Sequence, residues 1–427
     1  MKKTIAILGF GTTGQACYQA LKDSYKIYIY DEKADISEDL RLTQDRYGEV
    51  DYGIKSPGIH PDQEVIRQLE ALKIPIYSDL EVFQKLLDKK IYTIAVTGTN
   101  GKTTTSMAIH HILKEAGKRV FLAGNIGRGV FDLMGLLQDG DYLVLECSSF
   151  QLKYIQDFHP NIAILTNISQ DHLDWHHTVE DYQASKKKIT KNQNPGDLCL
   201  VNRDDPVSYQ TPSLARRECV SIRQEADAYI KDGQMIIHGQ VLGPTSNFQL
   251  VGDHNMSNLA FALLAAEEVG IPLGDAFNYG ASFKPVDHRL QFVAEINGVD
   301  YYNDSKGTNP DSTDVALASF PGNISLIAGG YDKGSSFLPL LKKYKGKISH
   351  LIVMGQTKDR WIREAQEVGL ESIHPVASME EAVKKAKYLT KKGVVLLSPA
   401  CASWGAYQNY EERGRDFMDQ VKKLEED

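Results

Sequence analysis

Three restarts of one pattern, a strand, a glycine turn and a helix, predict an α/β protein built as three domains. The restarts are TIAILGFGTTG at 4–14, YTIAVTGTNGKTTT at 92–105 and ISLIAGGYDKG at 324–334. At 427 residues the chain is also too long for one apolar core, since cores stop growing near roughly 250 to 300 residues. The expected units are 1–90, 91–285 and 286–427.

In the first unit, residues 4–10 read as a strand, 13–22 as a helix and 26–31 as a second strand, a Rossmann-like βαβ opening. Residues 72–90 end in an amphipathic helix closed by lysines, which marks the boundary. The central unit opens on the strand IAVT and continues through apolar strands at 142–149 and 162–169, giving a P-loop ATPase-type, mostly parallel sheet. Both later strands end in polar residues, and open α/β sheets bind ligands at the carboxyl ends of their strands. Short alternating segments over 229–251 predict a small antiparallel hairpin region, followed by a helix over 256–269. Beyond it, QFVAEINGVDYYND, SLIAGG, HLIVMG and VVLLSP, with helices between them, predict a second Rossmann-like domain.

Composition narrows the class. With 42% hydrophobic and 24% charged residues, neither a disordered nor a fibrous protein fits. A net charge of −8 without a long Lys/Arg run excludes the electrostatic footprint of nucleic-acid binding. The five cysteines contain no CxxC pair, so a zinc ribbon or disulfide framework is not expected, and reduced thiols in the cytoplasm are. The apolar start is too short for an export signal, and no apolar run is long enough for membrane insertion.

Gly9, Gly11 and Gly14 form GxGxxG between a strand and a helix, and Asp31 closes the next strand. Alone, this predicts a dinucleotide, and so an NAD-dependent oxidoreductase. The same turn and helix start hold any pyrophosphate, that of a UDP-sugar included. Glycines serving only strand-to-helix packing are the plain alternative.

The second loop comprises Gly98, Thr99, Asn100, Gly101, Lys102, Thr103 and Thr104. It departs from GxxxxGK[ST], because Val96 stands where the first glycine belongs. The working parts remain: a helix start for phosphate oxygens, Lys102 as a point charge and the Thr103 hydroxyl for Mg²⁺.

In order along the chain come TGTNGKTTT, ECSSFQL at 146–152, NISQDHLDWH at 167–176, GDHNMSN at 252–258, HRL at 288–290 and NDSKGTN at 303–309. Together they resemble the Mur ligase family over essentially the whole chain. SSFQL, the GxGxxG start and SPACASW look most like its D-glutamate-adding branch.

That resemblance implies an ADP-forming, ATP-dependent acid–D-amino-acid ligase of peptidoglycan synthesis, using two Mg²⁺ ions. It would join D-glutamate to the carboxylate of UDP-N-acetylmuramoyl-L-alanine through an acyl phosphate and a tetrahedral intermediate. Its partners would be those small molecules, and a monomer is expected. By the same resemblance Lys102, Glu146, His172 and Lys186 are catalytic, and Thr103, Glu146, His172 and Lys186 hold metal. ATP would also meet Asn258, Arg289 and Asp304. The UDP-sugar would meet Gly11, Thr12, Thr13, Asp31, Glu32, Gly58, Asn125, Ser148 and His172. D-glutamate would meet Thr308, Lys333, Ser403 and Tyr410, with Trp404 walling the pocket.

Lys186 falls where the family carries a carbamoylated lysine. Carbamoylation needs a neutral amine, and an ordinary lysine near pKa 10.4 is neutral only in roughly one part in a thousand near pH 7.4. Lys187, Lys188 and Mg²⁺ are the expected depressants. The plain alternative is that residues 186–188 form a solvated basic helix face. Adjacent His176 and His177 do not share a helix face for metal, and Trp175 reads as packing. Competing functions are another Mur-type ligase, a folylpolyglutamate ligase, an NAD-dependent oxidoreductase and a nucleotide switch without chemistry.

Overall fold

A computed structural model describes residues 2–126, 128–250, 252–284, 287–332 and 334–426. The chain forms two compact units, one of residues up to 248 together with 256–283, the other of 249–255 together with 284 onward.

The first unit carries two sheets. In the smaller, β1 (Thr4–Leu8), β2 (Lys26–Tyr30), β3 (Tyr52–Lys55) and β4 (Ile76–Ser78) lie in the order β2-β1-β3-β4, all parallel. Because side chains alternate along a strand, β1 sends Ile5 and Ile7 into one core and Ala6 and Leu8 into another on the opposite face. A sheet buried on both faces reads as the continuous apolar run TIAIL.

The larger sheet contains β5 (Tyr92–Thr97), β6 (Val120–Gly124), β7 (Tyr142–Glu146), β8 (Ile162–Leu165), β9 (Leu198–Asn202), β10 (Arg216–Ser221), β11 (Ala228–Lys231), β12 (Gln234–Ile237) and β13 (Gln240–Pro244). Their order is β13-β12-β11-β10-β9-β8-β5-β7-β6, with only the β11-β12 and β12-β13 pairs antiparallel. β5 lies between β7 and β8, so the strand order reverses at its carboxyl end. That switch point is where crevices open in such sheets.

The expected hairpin region at 229–251 is β11 to β13. β7 and β8 are shorter than expected. β7 stops at Glu146 because Ser148 caps a new helix, Ser149–Lys153, through a capping box with Gln151. The helix expected before residue 90 is Asp79–Leu86, ended by the extended backbone of Leu87, so Lys89 and Lys90 lie beyond it. Residue 90 is not a break in packing either, since Ile5, Ile54 and Phe83 share one core with Ala95, Leu145 and Phe158.

The second unit holds β14 (Gln291–Ile296), β15 (Val299–Asn303), β16 (Ile324–Ala328), β17 (Ile348–Val353), β18 (Ile373–Pro375) and β19 (Gly393–Leu397). They form a sheet in the order β14-β15-β19-β16-β17-β18. Only β14 and β15 run antiparallel, and apolar cores cover both faces. Among the described residues no helix is long and apolar enough to cross a membrane.

Candidate active site

Each glycine loop follows an interior strand of its sheet, β1 in the smaller and β5 in the larger. At the first, a Cβ on Gly14 would sit 1.9 Å from the Gly9 carbonyl oxygen, so the helix Thr12–Leu21 can approach only with glycine there. Asp31 is already committed: its carboxylate accepts from the backbone N–H of Phe10 at 2.7 Å, Lys33 at 2.8 Å and Ala34 at 3.0 Å. Those bonds hold its carboxyl below the usual range. It braces the turn from below. Gly11, Thr12 and Gly58 are exposed and Thr13 is half-buried, while exposed Glu32 accepts from the Tyr30 hydroxyl at 3.0 Å.

The second loop is a stiff cradle. Asn167 holds Asn100 on both sides, accepting from its N–H and donating to its carbonyl, each at 2.9 Å. Thr166 donates to the same carbonyl at 2.6 Å, and Thr99 N–H donates to the Asn167 carbonyl at 2.7 Å. Thr99 and Asn100 therefore spend their N–H groups on Asn167. Donors for an anion must come from the following helix start, Lys102–Glu115, where the helix dipole also favours negative charge.

Gly101 caps that helix at φ +85°, and a Cβ there would fall 2.3 Å from Oδ1 of buried Asn258. A left-handed L-residue costs about 1 to 2 kcal/mol before any clash. Gly101→Ala is thus expected to lower thermal stability by at least that amount and to abolish nucleotide binding, as denaturation and calorimetric titration would measure. Asn258 also accepts from Thr105 Oγ1 at 3.3 Å, so it supports the loop from behind.

Two lysines converge on one oxygen. Lys102 Nζ donates to the carbonyls of Gly98 and Thr99, both at 2.8 Å, and Lys186 Nζ donates to the Gly98 carbonyl at 2.7 Å. Lys186 is 2% exposed, which overturns the solvated-face alternative for this residue. Its amine lies 4.7 Å from the Tyr182 ring centre, and its pKa falls well below the ordinary lysine value. Burial is the largest cause and Lys102 the next, rather than Lys187 and Lys188 as the run suggested.

Glu146, at the end of β7, is 1% exposed. Asn125 Nδ2 donates to its Oε1 at 2.9 Å, whereas Oε2 is buried without a hydrogen-bond partner. A buried carboxylate oxygen left open in this way fits a hard cation. Ser148 has its hydroxyl engaged with Gln151, whose amide in turn donates to both oxygens of buried Asp79. His172 is half-exposed, adopts φ +52°, and its ring lies 4.9 Å from that of Phe150.

One buried network was not foreseen. His176 Nδ1 lies 2.6 Å from Asp181 Oδ2 and its Nε2 lies 2.9 Å from Ser149 Oγ. Ser149 is 2% exposed and so has no access to a substrate; the chain of bonds fixes the Glu146-to-Ser149 turn against the segment that carries His172. Burial pushes the His176 pKa down, partly offset by Asp181. A histidine depressed on folding contributes stability that is complete above the unfolded value of about 6.5 and is lost as pH falls below it. His176→Gln is expected to flatten that acid-side decline in melting temperature. Trp175 is buried packing, as expected, with Lys55 Nζ 4.8 Å from its ring centre.

In the second unit, Asp304 is buried and accepts from Ser398 Oγ at 2.7 Å and from Leu290 N–H at 3.3 Å. Burial raises its pKa to about 6 against those bonds and the nearby Arg289. Arg289 Nε is buried without a hydrogen-bond partner. The segments of Thr308, Ser403 and Tyr410 are tied together by Arg413, which sequence reasoning missed. Its buried guanidinium donates to Ser305 Oγ at 3.0 Å, Ser305 O at 2.7 Å and Cys401 O at 3.0 Å. Ser305 Oγ in turn donates to the Tyr410 carbonyl at 2.8 Å. Trp404 is 55% exposed, edge-on to Tyr331. Lys333 lies outside the described residues.

A loop at a strand-order switch, its lysine and an acid on the adjacent strand define a P-loop phosphate-binding protein of the α/β class. Residues 96–266 match the Mur ligase middle domain, and residues 288–401 match the Mur ligase, glutamate ligase domain. The UDP-N-acetylmuramoylalanine–D-glutamate ligase of Thermoanaerobacter pseudethanolicus is 37% identical, covering 99% of this chain and 98% of its own. That of Geobacillus kaustophilus is 36% identical, covering 99% and 98%. Among solved structures, Thermotoga maritima UDP-N-acetylmuramate-alanine ligase superposes with a TM-score of 0.62 at 18% identity, covering 99% of this chain and 100% of its own. The MurF ligase of the same organism, in complex with ADP, gives 0.61 at 18%, covering 99% and 96%. The chain belongs to the Mur ligase family.

Proposed function

We propose that the chain is an ATP-dependent, ADP-forming ligase that joins D-glutamate to the carboxylate of UDP-N-acetylmuramoyl-L-alanine. The observation that carries this reading is the meeting of Lys102 and Lys186 at the Gly98 carbonyl, on a loop that ends in a helix start. Full-length relatives named for that reaction support it over the oxidoreductase and switch alternatives.

Lys102, released from the loop carbonyls, neutralises the γ-phosphate while the substrate carboxylate oxygen attacks phosphorus and the bond to ADP breaks. The amine of D-glutamate, having lost a proton, then attacks the acyl carbon. The resulting tetrahedral intermediate loses a second nitrogen proton to the departing phosphate as the carbon–oxygen bond breaks, which leaves the amide. Preorganised positive charge is the main device, since nucleotide, acid and amino acid are all anionic in a protein of net charge −8.

Thr103, Glu146, His172 and a carbamoylated Lys186 would hold Mg²⁺, which when bound offsets the charge that develops on phosphate oxygens. The open, buried Oε2 of Glu146 suits that role. In the first unit, exposed Gly11 and Thr12 and half-buried Thr13, with Glu32, Gly58 and Asn125, form the UDP-sugar side. Asp31 acts there by bracing the turn, and Ser148 through its helix cap. Asn258 supports the ATP loop, Arg289 and Asp304 serve the nucleotide, and Thr308, Lys333, Ser403 and Tyr410 serve D-glutamate.

The test is phosphate release with UDP-N-acetylmuramoyl-L-alanine and a panel of D-glutamate, L-glutamate, L-lysine and glycine. Turnover with D-glutamate alone is expected; equal turnover with L-lysine would reassign the chain to another branch.

A further inference from the structure

His176 and His177 are adjacent but diverge. His176 turns inward to Ser149 and Asp181, while His177, at φ +64°, ends the helix Leu173–His176 and turns outward. There it meets a loop more than a hundred residues earlier in the chain. Its Nε2 lies 2.8 Å from Asp62 Oδ2, and the same oxygen lies 3.7 Å from His60 Nδ1. One ligand atom from each of the three residues can be chosen so that all lie within 4.8 Å of one another. The two imidazole rings are 5.6 Å apart at 64°.

We propose that His60, Asp62 and His177 form a site for a divalent transition-metal ion of the zinc class, with a fourth position open to solvent. Size supports it. Bonds of about 2.0 to 2.1 Å in a tetrahedron set neighbouring ligand atoms roughly 3.4 Å apart, and the two measured separations bracket that value. Ligand chemistry supports it as well. Two imidazoles and one carboxylate select zinc-like ions over Mg²⁺, which prefers oxygen and an octahedral shell. The side chains are 34%, 48% and 56% exposed, so an ion can enter and leave.

Binding replaces the direct His177–Asp62 contact and displaces the 3.2 Å bond from Asp62 N–H to His60 Nδ1. Arg67 Nη2 lies 3.6 Å from the other carboxylate oxygen and can keep it oriented. The bound ion fastens the loop that follows β3 to the stretch that begins at His172. Zinc therefore stabilises this part of the first unit, independently of the ligase reaction.

The experiment is equilibrium dialysis of the full-length protein against Zn²⁺ in excess Mg²⁺, paired with the visible spectrum of the Co²⁺ form. One Zn²⁺ per chain is expected. Its affinity should fall by more than about 100-fold in both His177→Ala and His60→Ala, beyond the loss of an outer-shell partner. The Co²⁺ band should vanish with it, and Glu146→Gln should retain the ion. Because the replaced side chains are exposed or only partly buried, circular dichroism should remain native. No retained Zn²⁺, retention unchanged in His177→Ala, or loss in Glu146→Gln would each overturn the proposal.

Discussion

Lys102→Ala is expected to fold normally and to lose about 10² to 10³ in turnover, the usual cost of removing one preorganised charge donor. The stability cost should be small. The side chain is half-buried, it donates to two carbonyls of its own loop, and a typical hydrogen bond is worth only about 1 kcal/mol net. The loop keeps its shape through Asn167 and Thr166, neither of which depends on the lysine. Far-UV circular dichroism and phosphate release would report fold and turnover separately. An active variant would remove Lys102 from the chemistry, and an unfolded one would make it structural.

Lys186→Ala should cost a comparable amount, for a different reason. Burial and Lys102 together favour the neutral amine. A neutral amine attacks the carbon of CO₂, forms an N–C bond and releases a proton, and so turns a cation into a carboxylate donor for metal. Lys186→Ala is therefore expected to recover part of its activity when a short carboxylate such as formate is added, whereas Lys186→Arg should stay inactive. Full activity in Lys186→Arg would mean that the residue acts as a cation. The two lysines are also coupled: removing Lys102 takes away a charge that depresses Lys186, so the Lys102 variant should carry less carbamate. Carbon-13 resonance after labelled bicarbonate would measure it.

Features set by neighbours in sequence were legible before the fold was known. The loop at 98–104 announces itself because strand, turn and helix are contiguous, and its departure at Val96 changes none of the working parts. The antiparallel edge at 229–251 was legible from its short period. The capping box at Ser148 could have been read from the S-x-x-Q spacing, which would have ended β7 at the right place.

What the sequence hid was burial and pairing across long separations. Lys186 sits in a run of three lysines, a composition that reads as solvated, yet it alone turns under the loop 88 positions away. The Ser149, His176 and Asp181 chain joins residues 27 and 5 apart, and no local pattern encodes it. Arg413 closes on Ser305 across 108 positions. By its spacing Asp31 reads as part of a dinucleotide site, and in the fold its carboxylate braces the turn.

On the proposed route the turn at Gly101 holds a triphosphate whose terminal group passes to the substrate carboxylate before nitrogen attacks. Supplying UDP-N-acetylmuramoyl-L-alanine with a heavy-oxygen carboxylate tests it most directly, because breakdown of an acyl phosphate carries one carboxylate oxygen away with phosphorus. One labelled oxygen is expected in each inorganic phosphate released; unlabelled phosphate alongside amide product would rule the acyl phosphate out.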